Sequence, residues 1–369
     1  MAQNSYDYII IGSRIAVLNA ALLAPKQGSV LILPKGRIED RNTPYAQDGM
    51  AAALGPGDSP VLPIRDTLPG AHCAESKRRL IRSRTVSQLP PEVYGLIDSA
   101  LSEDQAFNDP TTQVLVPEGV RGLGMLRAKA HGVLAGVDVA MAVFRRIDSN
   151  LVTNAPVNDG SPLSPGADIA SVEGEAASIL RAERVALNFL QRMSGIASDT
   201  NRYVKAIEGT RSRIVDTRKT APGHRYLDKY AVRMGGGYNH RLHLADGILI
   251  KDNHIQALRS QELGLKDVIQ LALSRASHTI KVEVEVESLE EVSEAVEAGA
   301  HIIMLDNMPV DMMAQAMGII GGRAVVEASG GINHETVRAV AATGVDLISI
   351  GALTHSTDAL DISLDLEFS

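Results

Sequence analysis

The chain has 369 residues, 45% of them apolar, which is enough to bury two hydrophobic cores in two or three domains. Its formal net charge of −8 excludes a general affinity for nucleic acid or anionic membrane. The single cysteine, Cys73, cannot close an internal disulfide, which fits a reducing compartment. The one long apolar run, Tyr8 to Ala24, is broken by Ser13, Arg14 and Asn19 and falls short of the roughly 20 residues a bilayer span needs. With only Asp7 charged ahead of Arg14, a secretory signal is not expected, and the cytoplasm is the expected location.

In chain order, residues 1–75 open with a strand-like run, Tyr8 to Ile11, a turn at Gly12-Ser13, an apolar helical stretch to Ala24 and a second strand, Val30 to Leu33. That is half of a βαβ unit, an incomplete Rossmann-like fragment. Residues 76–91 turn basic, with Lys77, Arg78, Arg79, Arg82 and Arg84 ahead of Pro90-Pro91, and read as an exposed linker. Residues 92–200 mix a helix (Val93 to Leu101) with strand-like pieces at Gln113 to Val116 and Ala167 to Val172. An apolar helix follows from about Glu183 to Met193, so an α+β, sandwich-like domain is expected.

The last segment, 201–369, is regular. Short apolar runs recur at Ile214-Val215, Ile248 to Ile250, Val282 to Val286, Ile302 to Leu305, Val325-Val326 and Leu347 to Ile350, with helical stretches such as Leu289 to Ala298 and His334 to Ala342 between them. Alternating strands and helices predict a parallel α/β barrel of six to seven strands. Each run ends in residues suited to ligands: Asp216 to Lys219, Lys251-Asp252, Glu285, Asp306-Asn307, Ser329 to Gly331 and Gly351. Sites in such folds assemble where the C-terminal strand ends converge. Between Arg181 and Lys251 fourteen Lys/Arg face six Asp/Glu, a local +8 that points to a polyanionic small molecule or to solvated helix faces.

Several residues admit a plainer role. Glu283 and Glu285 are spaced like charges on the solvent face of an alternating strand, although Glu285 sits at a strand end. His240, His243 and His254 lack any Cys or HExxH spacing for zinc. Gly235 to Gly237 reads as a turn, and Asp216 as a structural group orienting Arg218 or Lys219.

The motifs Ala182 to Asn188, Ser194 to Ala197, Asp216-Thr217-Arg218-Lys219-Thr220, Tyr230 to Arg233, Asn239-His240-Arg241, Lys251-Asp252-Asn253-His254, Glu283 to Val286, Leu305-Asp306-Asn307, Glu327 to Ile332 and Gly351 to His355 together resemble the quinolinate phosphoribosyltransferases. The resemblance runs from about Pro91 to the C-terminus. It implies joining of quinolinate to phosphoribosyl pyrophosphate, with release of pyrophosphate and carbon dioxide. It also implies that Arg184, Arg218, His240 and Arg241 bind the quinolinate carboxylates, with Lys219 and Lys251 reaching the substrates. Lys219, Lys251, Glu285 and Asp306 are the implied catalytic residues, Glu285 and Asp306 the Mg²⁺ ligands, and Ser329, Gly330, Gly331 and Gly351 the 5-phosphate cradle. A homodimer or higher even oligomer, in which the helix bearing Arg184 meets the partner's barrel, completes the expectation.

The first segment resembles the opening of L-aspartate oxidase, through Tyr6 to Ser13, Arg37 to Asp40, Tyr45-Ala46-Gln47 and Ala51 to Asp58. Arg14 and Val17 occupy the second and third glycine positions of the dinucleotide fingerprint, where pyrophosphate needs bare backbone and helix must meet strand closely, so no FAD is expected. A related phosphoribosyltransferase for another substrate, for example one associated with molybdenum transport, would share the fold but not the carboxylate clamp. A flavin-binding or purely interacting protein is the reading from another class.

Overall fold

The computed structural model describes residues 89–258 and 262–368 and, ahead of them, two strands, β1 (Tyr8–Ile11) and β2 (Val30–Leu33). These two pair in parallel, Tyr8 opposite Val30 through Ile11 opposite Leu33, as half a βαβ unit requires. The helix expected up to Ala24, the fingerprint positions Gly12, Arg14 and Val17, and residues 76–88 of the basic linker lie outside the described residues. The chain divides into two units, Met1–Arg79 and Leu80–Ser369.

The second unit begins with α1 (Pro91–Glu103), where proline occupies a first-turn position whose N–H would be unpaired in any case, and Val93, Ile97 and Leu101 fall four apart on the buried face. Next comes α2 (Pro110–Leu115), and here the sequence reading needs correction: Gln113 to Val116 is the end of a helix, not a strand. Asp109 accepts hydrogen bonds from the Thr111 and Thr112 N–H groups, at 3.0 and 3.2 Å, and Pro110 sits at the first turn. Capping plus proline outweighs the β-propensity of Val114, Leu115 and Val116.

An antiparallel sheet follows, built from β3 (Arg121–Ala128), β5 (Val152–Asn154), β7 (Asp168–Glu175) and β14 (Ile362–Phe368) in the order β14-β3-β7-β5, while β4 (Gly132–Val133) pairs with β6 (Pro162–Leu163). One face of this sheet packs on α3 (Val137–Ile147) and α4 (Ala176–Ala206). The expected α+β layer is therefore present, and its last strand comes from the C-terminal end of the chain. Helix α4 extends well beyond Glu183 to Met193: its 31 residues run roughly 46 Å at 1.5 Å per residue. It packs on the antiparallel sheet and on the first strand and helix of the next layer, so it spans the boundary expected at residue 200.

That layer holds β8 (Arg213–Val215), α5 (Arg225–Met234), β9 (Ile248–Ile250), α6 (Asp252–Leu258), α7 (Leu265–Arg275), β10 (Val282–Val286), α8 (Leu289–Ala298), β11 (Ile302–Asp306), α9 (Val310–Ile320), β12 (Val325–Ser329), α10 (Val337–Ala342), β13 (Leu347–Ser349) and α11 (Ala352–His355). All six expected strands form, in the order β8-β13-β12-β11-β10-β9, every pair parallel. This is barrel order interrupted between β8 and β9, where the connection carries α5 and the loop that follows it. Helix α8 shows how local signals place such elements: Ser288 caps its start, accepting from Glu291 N–H at 3.2 Å, and Gly299, at φ 83°, ends it.

Strand register sorts the two faces. Val284, Ile303 and Val326 align, as do Leu305, Ala328 and Ile348, and all are buried beneath the helices. The alternate positions, Glu285, Met304 and Glu327 in one row and Asp306 and Ser329 in the next, share the opposite, inner face. Polar side chains thus crowd the barrel interior toward its C-terminal end.

Candidate active site

A cavity of about 390 Å³ opens at the C-terminal strand ends. Thr217, Arg218 and Lys219 enter it after β8, His240 and Arg241 from the β8–β9 connection, and Leu249 and Lys251 from β9. Glu285, Met304, Asp306, Glu327, Ser329 and Ser349 come from β10 to β13. Eight of the residues singled out in the sequence, Arg218, Lys219, His240, Arg241, Lys251, Glu285, Asp306 and Ser329, therefore meet in one place. Gly330 and Gly331 follow Ser329 with φ of 90° and 63°, and a Cβ on Gly330 would collide with the Asn307 side chain. Gly351 follows β13, where a Cβ would come within 3.2 Å of Lys219 Cδ. These three glycines follow lining strands without lining the cavity themselves, and Arg184 lies apart, on an exposed face of α4.

The cations are arranged for an anion. Arg218 Nε is buried with no hydrogen-bond partner, so the guanidinium keeps a donor in reserve. Burial, and then the positive charge of Arg218 in the same cavity, pushes the Arg241 pKa down. Arg241 Nη1 is held by the Gly247 carbonyl at 3.0 Å. The Lys219 segment is fixed by Thr354 Oγ1, which donates to the Lys219 carbonyl at 2.8 Å. Lys251 forms an ion pair with Glu285, and its backbone N–H donates to His254 Nδ1 at 3.0 Å. Burial raises the Glu285 pKa, the Lys251 hydrogen bond lowers it, and the negative charge of Asp306 raises it again.

His240 occupies the cavity floor. Its Nδ1 accepts the Arg241 N–H at 2.8 Å, while Nε2 lies 3.3 Å from Glu283 and 3.5 Å from Glu327. An Nδ1 that accepts leaves the ring hydrogen on Nε2, so His240 donates toward these carboxylates and is not set up as a metal ligand, although the three groups are close enough to surround an ion. Burial alone would lower the His240 pKa, and the Glu283 hydrogen bond with both glutamate charges raises it overall. Burial, then Glu283, pushes Glu327 up to about 7. Glu283 is only 5% exposed, so its reading as a solvent-facing charge is corrected: on a barrel strand the alternate face points to the interior. The sequence reading also gave Glu327 no role, because a lone glutamate between Val326 and Ala328 carries no signal until the sheet curls around it.

The other histidines do not join His240. His243 sits 3.7 Å from Asp246 in its own turn, and His254 orients Lys251. Gly235 to Gly237 does form the expected turn, with Gly236 at φ 91°, and also a close approach: a Cβ on Gly235 would collide with α4 at Ala197 and Thr200. Asp216 is structural, as expected, but it holds different partners from those anticipated. Fully buried, it forms an ion pair with Lys229 of α5 and accepts from Asn239 Nδ2 at 2.6 Å and from the His240 N–H at 2.9 Å.

A parallel α/β barrel whose C-terminal mouth gathers Arg218, Lys219, Arg241 and Lys251 around Glu285 and Asp306 defines an enzyme of small polyanionic substrates. Models of the quinolinate phosphoribosyl transferase N-terminal and C-terminal domains match residues 109–194 and 196–365. The chain is 42% identical over 274 residues to a probable carboxylating nicotinate-nucleotide pyrophosphorylase of Bacillus subtilis, covering 74% of this chain and 93% of that one. It is 43% identical over 277 residues to the Mycobacterium leprae carboxylating enzyme, covering 73% and 95%. The solved nicotinate-nucleotide pyrophosphorylase of Francisella tularensis superposes with a TM-score of 0.72 at 37% identity, over 77% of this chain and all of that one. The chain belongs to the quinolinate phosphoribosyltransferase family.

Proposed function

We propose that this chain joins quinolinate to phosphoribosyl pyrophosphate, releasing pyrophosphate and carbon dioxide and leaving nicotinic acid mononucleotide, and that the reaction runs in the cavity at the barrel mouth. The observation that carries this reading is the gathering of Arg218, with its unpaired buried Nε, and Arg241 in one cavity. Two guanidinium groups in one partly buried cavity repel, and a dicarboxylate neutralises both. Planar forks match planar carboxylates. Opposite charges about 4 Å apart gain about 4 kcal/mol at an effective dielectric near 20.

Lys219 and Lys251 supply compact positive charge to the phosphorylated sugar. The Lys251–Glu285 contact places an ammonium where a cation belongs, and the paired carboxylates of Glu285 and Asp306 at adjacent strand ends suit Mg²⁺, which shares its shell with water and phosphate oxygens. Bound there, Mg²⁺ would neutralise the departing pyrophosphate. Glu285 and Asp306 then stabilise the positive charge that develops on the ribose, and Ser329, Gly330, Gly331 and Gly351 offer backbone N–H groups to the 5-phosphate. The positive charge on the quaternised ring nitrogen stabilises the electron pair left on C2 as carbon dioxide departs, a proton from solvent then takes up that pair, and Arg218 and Arg241 need only hold the ring in place. His240, with both nitrogens engaged, serves this site by fixing the Arg241 backbone. Arg184, on the exposed face of α4, reaches the pocket of a second copy in a two-fold dimer.

Lone Cys73 and the absence, among the described residues, of a helix long and apolar enough to cross a membrane are compatible with a cytosolic enzyme. The opening segment, which resembles that of L-aspartate oxidase, takes no part in catalysis and binds no flavin.

Titration calorimetry tests the reading. Quinolinate should bind at least about tenfold more tightly than nicotinate, which lacks one carboxylate, and Arg218→Ala should erase the difference. Equal or tighter binding of nicotinate would overturn the proposed substrate.

A further inference from the structure

The ion pair between Asp216 and Lys229 lies outside the cavity lining, yet its hydrogen bonds converge on the segment that carries two of the site's cations. Asp216 directly follows the first barrel strand and is 0% exposed, and Lys229, on α5, is 2% exposed. Lys229 Nζ donates to Asp216 and to the His240 carbonyl at 2.9 Å. Asp216 in turn accepts the His240 N–H at 2.9 Å. Asn239 donates from Nδ2 to Asp216 at 2.6 Å and to the Lys229 carbonyl at 2.9 Å. Both backbone polar groups of His240 are therefore held by the pair, one by each member. Arg241 follows directly and is tied to His240 through its own N–H.

We infer that Asp216 and Lys229 are positioning residues for the proposed quinolinate site, setting the 239–241 segment so that Arg241 enters the cavity that Arg218 also lines.

This inference rests on the proposed function for the identity of the ligand, and on geometry alone for the positioning. The interrupted barrel explains why such a device is needed. Strands β8 and β9 do not pair with each other, so the segment between them lacks a ladder on that side to fix it. Val215 and Tyr238 form only a single bridge. A fully desolvated ion pair is a poor source of stability, because burial pushes the Asp216 pKa up and the Lys229 pKa down, and hydrophobic replacements of similar volume are often tolerated. What apolar residues cannot do is hold the N–H and C=O of one peptide segment at once.

The test is the double variant Asp216→Leu/Lys229→Met, which keeps the volume and removes both charges. The expected result is a fold that melts near the wild-type temperature, a KM for quinolinate raised about tenfold or more, and a KM for phosphoribosyl pyrophosphate within about twofold of wild type. Hydrogen exchange at the His240 amide, measured without substrate, should accelerate in the same variant. Asn239→Ala, which removes one link and no charge, should show the same selective rise in smaller measure, and it carries the test if the double variant does not fold. Unchanged kinetics with unchanged exchange at His240, or an equal rise in both KM values, would overturn the positioning role. Accelerated exchange in a protein whose wild type does not use quinolinate would instead leave the positioning intact and sink the substrate assignment.

Discussion

Glu327 shows how one buried side chain ties stability to pH. Its carboxyl is 1% exposed and pushed up to about 7 by burial first and by Glu283 second. A folded-state pKa raised above the unfolded value near 4.5 means the folded protein prefers the protonated acid. Its favourable contribution is complete below about pH 4.5 and is lost as pH rises toward about 7. Glu327→Gln removes that dependence, so at pH 8 the variant should be more stable than wild type by roughly 1–3 kcal/mol, with little difference at pH 5. Urea midpoints at the two pH values decide it, and a gain of equal size at both would contradict the assignment. At the rim, Lys251→Ala and Glu285→Ala should each lower kcat/KM by roughly a hundredfold or more while thermal stability changes little, since these strand-end charges face the cavity and not the core. Wild-type kinetics from either variant would show that its side chain takes no part in the reaction.

At the scale of elements, glycines set how closely helix α4 is approached. A Cβ on Gly195 would overlap the Asp358 carbonyl oxygen and crowd Ala359 at 3.1 Å, because the chain returning from α11 to β14 crosses α4 there. Gly195→Ala should therefore destabilise by roughly 1–3 kcal/mol, read as a lower melting temperature, with KM values little changed. A wild-type melting temperature would mean that the crossing is looser than described. The six barrel strands were legible because each is a short apolar run closed by a ligand-type residue, and α8 because serine, glutamates and glycine bracket its periodic face. Two elements were misjudged. Helix α2 was hidden behind β-branched residues that its cap overrules, and α4 is longer than its apolar stretch, since small and polar residues such as Ser194, Gly195, Asp199 and Thr200 continue it as a buried helix. Of the site, the charged residues at strand ends were readable in the chain. Glu283, Glu327 and the Lys229 pairing were not, because which face of a strand is interior depends on neighbours distant in sequence.

For the whole molecule, residues 1–87 bear none of the groups assigned to the reaction, and half a βαβ unit has no complete sheet of its own. A chain beginning at residue 88 should keep kcat and both KM values within about twofold, since the family match lies wholly beyond this point. Loss of turnover from a truncated chain that still folds would assign the segment a role. The position of Arg184 away from its own cavity sets a second expectation. If the chain forms the proposed two-fold dimer, mixing inactive Arg184→Ala chains with inactive Lys251→Ala chains makes about half the dimers mixed, each with one intact site of two, so activity should recover to roughly a quarter of wild type. No recovery after confirmed subunit exchange would place each site within one chain.

In the proposed reaction this cavity couples phosphoribosyl transfer to loss of one carboxylate from quinolinate. The most direct measurement supplies quinolinate labelled in its 2-carboxylate, phosphoribosyl pyrophosphate and Mg²⁺ to the purified full chain, and counts labelled carbon dioxide, pyrophosphate and mononucleotide together. The three products should appear in equal amounts, with none from nicotinate. Turnover of nicotinate in place of quinolinate, or no turnover by a folded protein, would contradict it.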